Sequence, residues 1–237
     1  MVTREGMGAT DTLAQQSYSF KASPWSSHSQ ILALIPQDGA GLSLLDVGCW
    51  DGNMAARFAD RGFRVTGIER QSWPAGQFPS NVKLIVADLH HEIPPLSERF
   101  DYILCADVLE HLLECPKVLV QLRSLLKPNG RLIVSVPNSG NFYFRAVVLS
   151  GRFPQDEKGL FDRTHIHFRV WSGWRELFVQ SGYNVASVLL TPVPFSVFLN
   201  SQNGLARGLE WLFWRFACAW KTLFAYQFVV ILERPHE

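Results

Sequence analysis

Leu44-Leu45-Asp46-Val47-Gly48-Cys49-Trp50-Asp51-Gly52-Asn53 is the stretch that decides the fold of this 237-residue chain. An apolar run ends in an acid and breaks at a glycine, and a helical pattern follows within a few residues. A glycine directly after a strand lets the backbone turn sharply and approach a ligand closely. The helix behind it offers unpaired N–H groups and a positive dipole end, suited to a carboxylate or phosphate. Asp46, at the carboxyl end of the strand, can accept hydrogen bonds from an ammonium or from loop amides.

The pattern repeats outward from this turn. Strands are expected at residues 42–47, 63–68, 82–87, 100–106 and 131–136. Helices are expected near 53–60, stopped by Gly62, and from Pro116 to the Pro128-Asn129-Gly130 break. Strands alternating with helices at this spacing imply a parallel sheet covered on both faces. A short helix from Ser27, closed by Pro36 and Gly39, precedes the first strand. Beyond residue 137 the regularity loosens. Residues 141–150 read as a helix, 151–168 as a long polar loop and 171–181 as a helix capped by Gly182. Two further strands are expected at 184–190 and 226–232, with an aromatic insert between them.

Length gives a prior of one to two domains, at about 150 residues each. One domain with elaborated loops, residues 27–237, fits better than two. Its cofactor half would span about 42–137 and its acceptor side about 138–225, behind a flexible polar arm at 1–26. With 47% apolar and 18% charged residues, the chain is neither disordered nor a coiled coil. Its formal charge of +1 argues against a nucleic-acid partner. Four cysteines without a C-x-x-C pair (Cys49, Cys105, Cys115, Cys218) fit free thiols in a reducing cytosol. No apolar run is long enough for a signal peptide or a spanning helix.

Two nucleotide-binding readings fail on spacing. A dinucleotide fingerprint needs glycines where this chain has Trp50 and Asn53, and no Gly-Lys-Ser/Thr triplet forms a P-loop. Twenty-one residues after Gly48, the second strand delivers Glu69, and a carboxylate there can accept both hydroxyls of a ribose. A ribose-bearing ligand with a carboxylate or ammonium group therefore fits better than a pyrophosphate.

Taken together, these residues resemble a class I S-adenosylmethionine-dependent methyltransferase. The matching pieces are Asp46-x-Gly48-x-x-x-Gly52, Glu69, Ala87-Asp88-Leu89, Phe100-Asp101 followed by Asp107-Val108-Leu109-Glu110-His111-Leu112, and Leu126-Lys127-Pro128-Asn129-Gly130-Arg131-Leu132. The resemblance covers roughly residues 42–137. It implies a Rossmann-like α/β sheet, doubly wound, of seven strands with the last antiparallel and a helical insert before it. It also implies S-adenosylmethionine as cofactor. Gly48 and Gly52 would line the methionine moiety and Asp46 would sit near its amino group. Glu69 would bind the ribose hydroxyls, and Asp88 the adenine amino group with Leu89 beside the ring. The Ala106 carbonyl would face the methionyl ammonium. Trp50 departs from the small residue usual at its position, so its indole must point away from the cofactor or cover it. That departure keeps open a catalytically silent methyltransferase-like partner.

A hydroxyl acceptor needs a base, and His111 and His165 are the candidates. The alternatives are a capping or packing role for His111 and a loop-ordering bond to Asp162 for His165. His90-His91 and His165-x-His167 are weak metal signals. Asp107, Glu110 and His111 form a better divalent candidate, as in the quinone O-methyltransferases that this turn resembles; no resident metal is nonetheless expected. Residues 159–168 resemble a stretch of bacterial methyltransferases associated with cell-surface saccharides and lipid-linked glycans, which hints at such an acceptor. Arg163 and Arg169 are candidates to meet an anionic one.

Residues 205–223 read as one helix with an apolar stripe of Leu205, Leu209, Leu212, Phe216 and Leu223, and with Arg207, Glu210 and Lys221 opposite. Such a helix covers a core or substrate pocket, lies in a membrane interface, or pairs in a homodimer. The expected location is cytoplasmic, with the inner-membrane surface as the variant that this helix would create.

Overall fold

Ser43–Val47 is buried at every position, which only a strand covered on both faces tolerates. In the computed structural model, which describes residues 23–90, 92–199 and 204–235, this is β1. Six more strands join it: β2 (Arg64–Glu69), β3 (Val82–Val86), β4 (Phe100–Ala106), β5 (Leu126–Pro137), β6 (Asn184–Thr191) and β7 (Gln227–Glu233). They form one seven-stranded sheet of order β3-β2-β1-β4-β5-β7-β6. β1 pairs in parallel with β2 and β4, β2 with β3, and β4 with β5, while β7 runs antiparallel to both β5 and β6. The Rossmann-like sheet with an antiparallel last strand is as expected.

Period-2 alternation sorts the strands onto two cores. Leu45, Val47, Ile103, Cys105, Leu132, Val134, Phe228 and Val230 face one way. Their neighbours Leu44, Leu104, Ile133 and Val229 face the other. The first face is covered by α3 (Cys115–Leu125) and α5 (Trp171–Gln180), which contribute Val118, Leu119, Leu122, Trp174 and Phe178. The second is covered by α1 (Ser27–Leu34) and α2 (Asn53–Ala59), through Ile31, Ala55 and Phe58. Of the expected arm at 1–26, residues 1–22 lie outside the described residues. Ser26 belongs to α1 as its cap, with its Oγ accepting from the Ser29 amide at 3.2 Å.

At the amino edge one carboxylate ties three strands together. Asp101 Oδ2 accepts from the Ser43 amide at 2.8 Å and from Lys127 Nζ at 2.6 Å. Burial opposes its charge, but these bonds outweigh burial and hold its carboxyl below the usual range.

Two expectations need correction. β5 begins at Leu126 rather than 131, because Leu126 already pairs with Phe100 before the register shifts. Residues 127–130 loop out there, and a Cβ on Gly130 would lie 2.8 Å from the Phe100 carbonyl. The insert is not one helix over 205–223. It comprises α6 (Phe195–Phe198), α7 (Gly204–Ala219) and α8 (Lys221–Phe224), with a break at Trp220 (φ −145°, ψ 81°). The predicted apolar stripe does not face inward: Leu205, Leu212 and Phe216 are exposed, and the buried side holds Ala206, Glu210 and Ala217. Glu210 decides this orientation, since its Oε1 accepts from the Ser196 amide at 2.9 Å and the Ser196 hydroxyl at 2.6 Å. A carboxylate so satisfied can be buried, and the small alanines beside it let the helix approach. Among the described residues no helix is long and apolar enough to cross a membrane.

Trp174 locks α5 to the sheet. Its ring is fully buried, and Nε1 donates to the Pro137 carbonyl at 2.9 Å. Trp174→Phe is expected to cost about 1–3 kcal/mol through the lost buried bond, read as a lower denaturant midpoint with an unchanged slope. An unaltered midpoint would show that the indole contributes packing alone.

Candidate functional site

Ligands of open α/β sheets bind beyond the carboxyl ends of the strands, where the strand order reverses. Here the chain leaves β1, builds β2 and β3 to one side and returns as β4 on the other. Asp46 lies opposite Gly67 in the β1–β2 register, Glu69 pairs with Val86, and Asp88 follows two residues beyond. The three expected acids thus occupy the carboxyl ends of three adjacent strands.

The turn after β1 is built by left-handed glycines. Gly48 has φ +72° and Gly52 has φ +73°. A Cβ at Gly48 would come within 2.6 Å of Val108, and one at Gly52 within 2.8 Å of Phe78 and Pro79. Both positions therefore exclude side chains on conformation and on space. Glu69 pins the loop: Oε2 accepts from the Trp50 amide at 2.9 Å, and Oε1 accepts from the Arg70 amide at 2.8 Å. Trp50 itself sits at φ +47°, a strained conformation for a bulky residue. Its ring is 43% exposed and meets Trp73 edge-to-face at 6.3 Å. The indole thus leans onto the loop after β2, a partner that local sequence could not reveal.

Asp46 is strongly perturbed. It is buried, and its Oδ2 has no hydrogen-bond partner. Burial first, and the charge of Glu69 second, push its pKa up to about 7. An orphaned buried carboxylate oxygen behind a glycine turn is what a ligand ammonium would satisfy, so these residues fit the amino-acid end of S-adenosylmethionine. Asp88 is exposed, with Oδ1 accepting from the His90 amide at 2.9 Å. Leu89 is buried beside it, and Ala106 ends β4 half-buried.

A second constellation follows β4. Asp107 has φ +54°, and its Oδ1 accepts from Ser135 Oγ at 2.6 Å and from Gln227 Nε2 at 2.9 Å. Glu110 is 1% exposed, and its backbone carbonyl accepts from the Ile166 and His167 amides at 2.9 and 3.1 Å. That contact draws the 159–168 loop onto the Asp107–His111 turn. The rings of His111 and His165 stand 4.8 Å apart, and His165 Nε2 lies 3.8 Å from Glu110 Oε1. Burial, with Asp107 adding, raises the Glu110 carboxyl well above its usual value. Burial and the neighbouring His111 lower His165. Both shifts favour the neutral forms.

Ligand atoms of Glu110, His111 and His165 all lie within 4.8 Å of one another, a donor set of the kind that takes a divalent cation. This corrects the sequence-based trio: Asp107 is engaged with Ser135 and Gln227, and His165 stands in its place. Among the described residues, His167 does not join this donor set. His91 lies outside the described residues, and His167 Nε2 donates to the Leu112 carbonyl at 2.8 Å. Asp162 does order this loop against His165, but through the backbone: the His165 amide donates to the Asp162 carbonyl at 3.0 Å, while Asp162 Oδ1 accepts from the amide and the hydroxyl of Thr164 at 2.8 and 2.6 Å. Arg163 is exposed, whereas the Arg169 guanidinium lies 5.8 Å from the Trp174 ring centre.

The sheet and this edge define a class of protein, and comparison with known proteins gives the same class. Residues 24–188 match the methyltransferase domain family, and the chain belongs to it. Its fold is that of class I S-adenosylmethionine-dependent methyltransferases. Among curated proteins it is similar to the ubiquinone biosynthesis O-methyltransferase of Pseudomonas syringae pv. tomato, 33% identical over 120 residues, covering 46% of this chain and 50% of that one. It is also similar to the enzyme of that name from Histophilus somni, 31% identical over 136 residues, covering 52% and 57%. The chain thus spans about half the length of the curated relatives it matches. Among solved structures, an S-adenosylmethionine-dependent methyltransferase from Mesorhizobium loti shares the fold with TM-score 0.60 at 17% identity, covering 88% of this chain and 98% of that one. A Burkholderia thailandensis N1-methyltransferase with bound S-adenosylhomocysteine does so at 0.56 and 18%, covering 91% and 80%.

The Asp46 shift makes a stability prediction. A folded-state pKa raised from 3.8 to about 7 contributes stability that is complete below about pH 4 and is lost as pH rises through 7. Asp46→Asn should remove that loss, gaining on the wild type progressively across this window, by on the order of a few kcal/mol at its upper end. Parallel denaturant-midpoint profiles for the two proteins from about pH 4 to 8 would contradict the assigned burial.

Proposed function

We propose that the protein transfers the methyl group of S-adenosylmethionine to an oxygen of a small, lipid- or saccharide-linked acceptor. One juxtaposition carries the reading: the orphaned Asp46 oxygen and the strand-end acids share a sheet edge with the His111–His165 pair. In this reading Gly48 and Gly52 line the methionyl chain, while Asp46 and the Ala106 carbonyl face its ammonium. Glu69 takes the ribose hydroxyls on lone pairs left free by its amide bonds. Asp88 accepts from the adenine amino group, with Leu89 against the ring. The ring of Trp50, turned onto Trp73, supports catalysis over the reading as a silent partner. The names of the curated relatives support oxygen as the methylated atom.

When bound, the cofactor supplies an electrophilic sulfonium methyl. The chain must add orientation, exclusion of water and a base. His111 Nδ1 lies 3.1 Å from the Thr164 carbonyl, which can only accept. Nδ1 therefore carries the hydrogen, and the Nε2 lone pair is left to take a hydroxyl proton. Thr164 Oγ1 lies 3.0 Å from the same nitrogen and donates to Asp162 at 2.6 Å, which fixes the ring further. A second reading rests on the Glu110, His111 and His165 donor set: a divalent cation held there would acidify the acceptor hydroxyl.

Glu69→Ala is expected to weaken cofactor binding by about 1–3 kcal/mol, measured by calorimetry; equal affinity would remove the ribose role. An acceptor is sought by incubating lipid and small-molecule extracts with methyl-labelled cofactor. With one in hand, His111→Ala should lower kcat by about 10²–10⁴-fold with little change in cofactor Kd. Loss of turnover on chelation, restored by a divalent cation, would select the cation over the base.

A further inference from the structure

The two longest crossovers, residues 138–170 and 192–226, both rise from the edge that carries the acids and histidines, because β5 and β6 end there and β7 starts there. They carry α4 (Phe142–Leu149), α6, α7 and α8. An aromatic seam welds them into one unit: Phe142 meets Phe213 at 5.6 Å and Phe224 at 5.8 Å, and Phe195 meets Phe213 at 5.0 Å. Large apolar side chains nevertheless stand in solvent on this unit. Leu149 on α4 is 87% exposed, Leu205 on α7 is 68% exposed, and Val197, Trp211, Phe216 and Trp220 are exposed as well.

On α7, Arg207, Trp211 and Arg215 follow one another at intervals of four and form one stripe. Leu205, Leu212 and Phe216 form the apolar stripe beside it. The charge is one-sided. Arg145, Arg207, Arg215 and Lys221 are exposed on these four helices, whereas their one acid, Glu210, is buried and bonded to Ser196. Two such faces brought together in a homodimer would set cation against cation. A surface of exposed leucines and tryptophans flanked by arginines matches the anionic headgroup layer of a bilayer, where indoles and guanidinium groups are favoured.

We infer that the outer face of α4, α6 and α7 docks on an anionic lipid bilayer and presents the catalytic edge to the membrane surface. Its purpose, capture of a lipid-borne acceptor, rests on the proposed function; the docking itself is read without methyl transfer.

The test is sedimentation of the full chain with vesicles of phosphatidylcholine alone or mixed with phosphatidylglycerol. The wild type should pellet with the anionic vesicles, and less so as salt rises. Arg207→Gln with Arg215→Gln should lower the partition coefficient by about fivefold for each cation removed, and Leu205→Glu with Trp211→Glu should abolish binding. Unchanged cofactor affinity by calorimetry reports that each variant is folded; if the glutamate pair fails that control, the arginine pair carries the test. Failure of the wild type to pellet with either vesicle overturns the docking. So does a light-scattering dimer that Leu205→Glu with Trp211→Glu dissolves. Vesicle binding without any methylated acceptor would leave the docking standing and sink the proposed acceptor instead.

Discussion

A single desolvated carboxylate organises this protein's working edge. Asp46 ends the central strand with one oxygen unpartnered, and burial lifts its pKa to about 7. Such a group destabilises the protein without ligand, and it stays because the turn around it leaves no alternative. Gly48 and Gly52 adopt left-handed backbone where side chains would collide with Val108 and Phe78. Glu69, one strand over, spends part of its hydrogen-bonding capacity holding the Trp50 amide. Stability and binding therefore compete at the same few atoms, as is common where a ligand completes the polar network.

The edge is completed by contacts between segments far apart in sequence. The Glu110 carbonyl receives two amides from the 159–168 loop, which sets His165 against His111. Asp107 is held in left-handed backbone by Ser135 on β5 and Gln227 on β7. Above them, the Phe142, Phe213 and Phe224 rings tie both crossovers into one cap. The glycine-turn side of the edge is thus built by local strand-turn-helix geometry, whereas the histidine side is built by tertiary contact.

That division accounts for what could be read from residues alone. Alternating strands and helices, the acid at the end of each of the first three strands and the glycine turn are local patterns with period, spacing and turn chemistry. They sufficed for a parallel sheet covered on both faces, while the antiparallel last strand and the S-adenosylmethionine-dependent class were implied by the family that these residues resemble. Local pattern did less well where packing overrides propensity. β5 starts five residues early because Leu126 finds a partner in Phe100. The insert breaks at Trp220 for no reason visible in its apolar periodicity.

Short-range order by itself determined the class of fold and the sheet edge on which Asp46, Glu69 and Asp88 stand, since those depend on residues close in the chain. Only the folded structure decided which way α7 faces and which histidine joins Glu110. The first turned on Ser196 satisfying a buried Glu210, and the second on a loop 55 residues away bonding to one carbonyl. Hydrogen-bond satisfaction across such separations is settled only when the chain has closed on itself.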